Sequence, residues 1–124
     1  MAAVRRTDIS ATDRTEPAIA VKNLSIAFGA ARVVKNISFD VAAGECVGLV
    51  GESGSGKSTI LRALIGVLPE VEGDISLFGR KMTASEDRRR QARQVQMVFQ
   101  DPFASLHPRH AIERILEEPL AIHG

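Results

Sequence analysis

The stretch GESGSGKST, residues 51–59, joins two segments of different sequence pattern. Before it, CVGLV at residues 46–50 is apolar throughout, which is typical of a short parallel strand covered on both faces. After it, apolar residues recur at helical spacing from Ile60 to Leu68, until Pro69 ends the pattern. The stretch therefore predicts a glycine-rich loop between a central strand and a helix.

Residues 51–58 match the pattern G-x-x-x-x-G-K-[ST] at every fixed position. A loop that wraps a polyphosphate must present several backbone N–H groups at close range, so side chains have to be absent there. The N-terminus of the following helix adds unpaired N–H groups and the positive end of the helix dipole. We predict that the whole loop binds a nucleotide, through Gly51, Glu52, Ser53, Gly54, Ser55, Gly56, Lys57, Ser58 and Thr59.

Three side chains of this motif have separate predicted roles. Lys57 reaches the β and γ phosphates and is a candidate catalytic residue, while Ser58 places its hydroxyl on Mg²⁺. Thr59 can contact the α phosphate. The alternative is a chance glycine-rich turn that binds no nucleotide. The predicted strand before the loop and helix after it argue against this alternative. The loop alone does not choose among transport ATPases, GTPases and small-molecule kinases, because all of them share it.

The flanking sequence predicts further strands and helices. Leu24, Ile26 and Phe28 alternate with small residues, as do Ile37, Phe39 and Val41 with polar ones, and this pattern predicts an antiparallel hairpin around a turn at residues 29–32. Beyond the first helix we predict strands at 73–78 and 95–99, a polar helix or turn at 84–93, and a helix at 111–122 that Pro119 interrupts.

Composition limits the remaining possibilities. The 124 residues are 44% hydrophobic and 25% charged, which suits one globular core, and the net charge is only +1. Residues 1–16 predict a polar flexible tail, and residues 17–124 predict the folded domain. The basic run at 80–93 has no interleaved aromatic residues, so a solvated helix face is expected rather than a nucleic-acid partner.

The segment QMVFQDPFASLHPR at residues 96–109 is the third informative stretch. With it, residues 17–124 resemble the nucleotide-binding subunit of ABC transporters. Phe28-Gly29 looks like that family's adenine-stacking segment, residues 51–59 like its Walker A loop, and Gln100 like the glutamine of its Q-loop, a ligand of Mg²⁺ and water. From pattern alone, Phe28 reads as a core aromatic and Gln100 as a polar residue at a strand end, so both roles rest on the resemblance.

The resemblance implies a fold and a function. Within the family, the sequences of these motifs most resemble the ATPases of dipeptide, oligopeptide and nickel importers. We therefore expect an energy-coupling subunit that uses ATP and Mg²⁺ to drive solute uptake. The implied fold is α/β, a P-loop NTPase core of parallel strands with flanking helices, an antiparallel β subdomain and the start of a helical subdomain. The implied partners are membrane permease subunits and a second ATP-binding subunit, at the cytoplasmic, inner face of the cell membrane.

The family's signature motif, Walker B aspartate, catalytic glutamate and switch histidine have no counterparts in these 124 residues. We therefore expect the chain to be the N-terminal portion of such a domain, truncated before its catalytic core. ATP hydrolysis is expected of the full-length protein, and no turnover is expected of this chain. The alternatives are a non-catalytic nucleotide-binding remnant and another P-loop NTPase or kinase. The Asn-Lys-x-Asp string that would support a GTPase does not occur.

Overall fold

The computed structural model describes residues 3–7, 16–82, 88–101, 103–104 and 106–123. This part of the chain forms six strands and three helices. In chain order they are β1 (Ala3–Thr7), β2 (Ile19–Phe28), β3 (Ala31–Val41), β4 (Cys46–Val50), α1 (Lys57–Leu64), β5 (Glu72–Leu77), β6 (Arg80–Lys81), α2 (Arg88–Gln94) and α3 (Ile112–His123).

A four-stranded antiparallel sheet is the main structure, with the strand order β3-β2-β5-β6. The predicted hairpin is confirmed, because β2 and β3 pair antiparallel from Ile19 opposite Val41 to Phe28 opposite Ala31. The strand predicted at 73–78 is also confirmed as β5, which pairs with the other edge of β2. The chain therefore completes this sheet from segments close together in sequence.

The alternation predicted along β2 fails at its centre, where Leu24, Ser25 and Ile26 are all buried. The register of β2 against β3 shifts on both sides of Leu24, and Asn23 has a φ of 53°. A left-handed residue rotates the strand, so the next side chains turn toward the same interior. The Ser25 hydroxyl is satisfied there, since Oγ accepts a hydrogen bond from the Asn36 backbone N–H at 2.8 Å.

The hydrophobic core lies between this sheet and α1. Ile60 on α1 is only 1% exposed and Leu24 on β2 is fully buried, so each side chain contributes about 1.5–3 kcal/mol relative to an exposed position. The helical spacing predicted after the loop places the apolar face of α1 inward, as expected. The buried hydrophobic residues are Val21, Leu24, Ile26, Val34, Ile60, Ala63, Leu64, Ile75 and Leu77.

The predicted parallel sheet is not observed among the described residues. β4 pairs antiparallel with β1, which lies within the segment predicted to be a polar tail. Residues 95–99, predicted as a strand, have no regular secondary structure, so that prediction is wrong. A parallel strand needs a neighbour brought alongside by a crossover, and none of the described segments supplies one to β4. Exposed and half-buried residues alternate along β4, and Cys46 is exposed, so the strand is not covered on both faces as predicted.

The last two helices agree partly with prediction. α2 overlaps the segment predicted as a polar helix or turn at 84–93 and ends one residue beyond it, and residues 84–87 of that segment lie outside the described ranges. α3 is confirmed, but it continues through Pro119, so the predicted interruption is wrong. A proline removes one backbone donor, yet its fixed φ is compatible with helix, and the chain can stay helical beyond it. Within the described ranges, no helix combines the length and the apolarity needed to cross a bilayer.

Candidate nucleotide-binding site

The loop at residues 51–56 connects the end of β4 to the start of α1, as the sequence predicted. Gly56 is the N-cap of α1, and its carbonyl oxygen accepts the first helical hydrogen bond from Ile60 N–H at 2.9 Å. No side chain caps this end, and the first turn contains no acidic residue. The N–H groups of the first turn are therefore without helical acceptors and point toward the loop, an arrangement that favours an anion.

Two glycines of the loop adopt left-handed conformations. Gly54 has a φ of 80° with open space where a Cβ would lie, and Gly56 has a φ of 91°. A Cβ on Gly56 would come within 3.0 Å of Val34 Cγ2 and 3.2 Å of the Val33 carbonyl oxygen. The loop is thus packed closely against β3 at Gly56 and open at Gly54. Both positions require glycine: Gly56 because of its conformation and its close contacts, and Gly54 because of its conformation alone.

Lys57 folds back over the loop. Its Nζ donates hydrogen bonds to the carbonyl oxygens of Gly51 and Glu52 at 2.5 and 2.7 Å, and to Ser55 Oγ at 3.1 Å. The Ser55 N–H in turn donates to the Glu52 carbonyl at 3.1 Å, which closes a tight turn. The ammonium group is therefore held at the mouth of the loop, beside the N-terminus of α1.

The remaining side chains of the motif are accessible to solvent. Glu52, Ser53 and Ser58 are exposed, and Ser55 and Thr59 are half-buried. An exposed hydroxyl on the first turn of α1 is a hard oxygen donor, which suits Mg²⁺ when phosphate oxygens and water complete the coordination. The residues present thus fit both a polyphosphate and its magnesium ion.

Beside the close packing of Gly56 on β3, a cavity of about 330 Å³ is lined by residues of both the loop and β3. This volume lies at the lower end of the range for small-molecule sites. Arg32 and Lys35 are among its lining residues, and the sequence analysis had not identified either of them. The Arg32 guanidinium forms an ion pair with Glu72 at 3.6 Å. The hairpin pattern gave no signal for Arg32 or Lys35, because it did not reveal that β3 packs beside the loop. The full lining is Arg32, Val33, Val34, Lys35, Ile37, Gly54, Ser55 and Ile60.

Phe28 is the last residue of β2, and 51% of it is exposed. It is therefore not a core aromatic, which was the reading from pattern alone. Its partner across the hairpin is Ala31, one residue before the cavity wall begins at Arg32. Phe28 does not itself line that cavity, so its ring is an accessible surface near the hairpin turn.

Gln100 lies apart from the loop. It is exposed and lines a second cavity of about 870 Å³, in which Arg62 of α1 faces residues that precede and follow Gln100. The two cavities share no lining residue. The structure therefore does not bring Gln100 to Lys57, and its role as a metal ligand stays a prediction. The lining residues are Arg62, Met97, Val98, Phe99, Gln100, Asp101, Ala104 and Leu106.

Comparison with known proteins identifies the family. The sequence profile described as ABC transporter matches residues 34–119, which include the loop, α1 and Gln100. This chain belongs to the ABC transporter family. Relatives in Brucella ovis, Brucella abortus and Brucella melitensis, each named as a peptide import ATP-binding protein, are 48% identical to it over 95 or 99 residues.

The matched region of this ABC transporter chain covers 75% of its own residues but only 30%, 29% and 26% of those three relatives. The chain thus spans less than a third of the length of the relatives it matches. Phe28 precedes the first residue of the profile match, whereas Lys57 and Gln100 fall inside it. The profile match that assigns the family therefore runs from within β3 through β4, the loop and α1 to α3.

Proposed function

We propose that this chain is the ATP-binding part of an ABC importer subunit whose full-length form couples ATP hydrolysis to uptake of a peptide or a related solute. The observation that carries the proposal is the glycine loop itself, which presents the Lys57 ammonium group and the uncapped N-terminus of α1 to one small space. The names of the Brucella relatives support a peptide as the transported solute.

In this proposal the loop holds MgATP by its phosphates. The backbone N–H groups of residues 54–59 surround the β and α phosphates, and Lys57 neutralises charge on the β and γ phosphates. Ser58 would supply a hydroxyl ligand to Mg²⁺, and the bound ion would offset the negative charge of the phosphates. Phe28 would stack on adenine, and Gln100 would be a ligand of Mg²⁺ and of the hydrolytic water.

The wider context of the proposal comes from the family. We propose that β4 belongs to the parallel P-loop core of the full-length domain. The full-length protein acts at the inner face of the membrane with permease subunits and a second ATP-binding subunit. A glutamate outside these 124 residues orients the hydrolytic water in that assembly.

Calorimetric titration of MgATP into the chain and into Lys57→Ala tests the proposal. We expect Lys57→Ala to bind MgATP at least about tenfold more weakly, because the phosphates lose their charge-assisted hydrogen bonds to the lysine ammonium group. Lys22→Ala is the matched control, since Lys22 is an exposed lysine on β2, outside the loop. Equal affinity in the parent chain and Lys57→Ala would contradict the proposed phosphate site.

The base site has its own test. Phe28→Ala should weaken ATP binding about fivefold or more while inorganic triphosphate binds unchanged, because stacking acts on the base alone. Phe78→Ala is the control, since Phe78 is similarly exposed but follows β5. If Phe28→Ala keeps the parent's preference for ATP over triphosphate, Phe28 is not the adenine platform.

A further inference from the structure

The hydrogen bonds of Lys57 leave its ammonium group fully occupied. An ammonium group has three N–H donors, and it donates to three acceptors in the loop. Two acceptors are the carbonyl oxygens of Gly51 and Glu52, and the third is Ser55 Oγ. A phosphate oxygen can accept from Lys57 only after one of these three bonds has been released.

The three bonds differ in how easily they can be released. The carbonyls of Gly51 and Glu52 accept at 2.5 and 2.7 Å and belong to the backbone, and the Glu52 carbonyl also accepts from Ser55 N–H at 3.1 Å. Moving either carbonyl would distort the loop. Ser55 Oγ accepts at the longest distance, 3.1 Å, and rotation of one side-chain torsion moves the hydroxyl away.

The location of Ser55 places this release at the site. Ser55 is half-buried and lines the 330 Å³ cavity between the loop and β3. A triphosphate that enters the loop meets the Ser55 hydroxyl and the Lys57 ammonium together. The phosphate is the stronger acceptor for a cation, because a bond between two charged groups exceeds one to a neutral hydroxyl.

We propose that Ser55 is a positioning residue that tethers Lys57 in the nucleotide-free loop and gives up this bond when a triphosphate binds. The inference rests on the proposed function, since it takes the polyphosphate of ATP as the ligand. As a consequence, the Ser55 hydroxyl weakens ATP binding. Part of the free energy of the Lys57–phosphate interaction is offset by the hydrogen bond to Ser55 that must break first.

Calorimetric titration of MgATP into the parent chain, Ser55→Ala and Ser55→Thr tests the tether. Ser55→Ala leaves one donor of Lys57 free in advance, so we expect ATP to bind about threefold to tenfold more tightly. Ser55→Thr keeps a hydroxyl and should tighten binding less than Ser55→Ala does. Ser38→Ala is the matched control, because Ser38 Oγ accepts from Asn23 N–H in the hairpin, away from the loop.

The sign of the change separates the possible outcomes. Damage to the loop would weaken ATP binding, so tighter binding by Ser55→Ala cannot come from a merely structural loss. Unchanged or weaker binding by Ser55→Ala, while the parent binds ATP in a Lys57-dependent way, would overturn the tether and leave the proposed function standing. A parent chain that binds no ATP would overturn the proposed function itself, and the tether with it.

Discussion

Two regions of the chain, residues 16–82 and residues 88–123, differ in how far their apolar side chains are buried. The first region contains every buried hydrophobic residue of the described structure. The second leaves large hydrophobic side chains in solvent, with Val98 97% and Phe103 87% exposed.

The two regions differ in where the partners of their apolar faces come from. In the first region, β2 finds β3 across a short turn and β5 soon after α1, so local pairing completes the core. In the second region, most large apolar residues of α3 and of residues 95–99 stay exposed, namely Val98, Phe99, Ile112, Leu116, Leu120 and Ile122. An amphipathic segment is stable in place only when another surface covers it.

Among the described residues, the Gln91 side chain makes a hydrogen bond between the two regions. Gln91 of α2 donates from Nε2 to the carbonyl oxygen of Leu64 at 3.4 Å, at the C-terminal end of α1. Its amide also lies where a Cβ on Gly66 would be, so α2 rests on the turn that follows α1. The contact is polar and small, which explains how α2 is positioned without adding to the core.

The largest effect should come from a core truncation compared between regions. Ile60→Ala removes a side chain that is 1% exposed and should lower the free energy of unfolding by about 2–5 kcal/mol through lost burial and a cavity. Leu116→Ala removes a side chain that is 67% exposed and should change it by no more than about 0.5 kcal/mol. Denaturant unfolding measures both, and equal losses would remove the distinction between the regions.

Within the first region, the loop glycines should rank next. Gly56→Ala strains a left-handed residue and pushes its Cβ against β3, so we expect a loss of about 2 kcal/mol in unfolding free energy. Gly54→Ala suffers the strain alone and should lose about 1 kcal/mol. Chemical denaturation of the two variants isolates the contact with Val34. A larger loss at Gly54 would mean that the loop does not pack on β3.

A smaller effect of opposite sign is expected at the turn between β5 and β6. Phe78 has a φ of 48° and is largely exposed, so the bulky residue bears strain with little burial in return. Asparagine tolerates this conformation better, and Phe78→Asn should raise the free energy of unfolding by about 0.5–1 kcal/mol. A fall in Tm for Phe78→Asn would show that the exposed ring contributes to the packed region.

The smallest effect concerns the second region, where the His107 and His110 rings stack with centroids 3.9 Å apart. Desolvation lowers the pKa of His110, and the charges of His107 and Arg114 lower it further. A lowered histidine pKa favours the neutral ring in the fold, so its contribution to stability is present above pH 6.5 and falls as the pH drops below that value.

NMR titration of the His110 ring measures this shift. We expect its midpoint below 6.5, and His107→Ala should move the midpoint upward, because it removes both the covering ring and the nearby charge. An unchanged midpoint in His107→Ala would mean that the stack does not set the pKa of His110.

Prediction from sequence succeeded where the deciding interactions are local. The hairpin, β5, the strand–loop–helix unit and α3 follow from alternation, helical spacing and glycine placement, all of which act over a few residues. Prediction failed for the parallel neighbour of β4 and for residues 95–99, because an apolar run does not specify the direction or presence of its partner. The burial of Ser25 was missed for the same reason, since a bulge depends on the facing strand.

The sequence by itself determined that a glycine-rich loop joins a strand to a helix at residues 51–59, because an apolar strand pattern ends before the loop and helical spacing begins after it. Only the tertiary structure decided what surrounds that loop. It packed Gly56 against β3, placed Arg32 and Lys35 at the adjoining cavity, and left Gln100 in a different one. The physical reason is distance along the chain. Covalent connectivity fixes the positions of residues within a short loop, whereas the packing of distant segments decides which residues surround it.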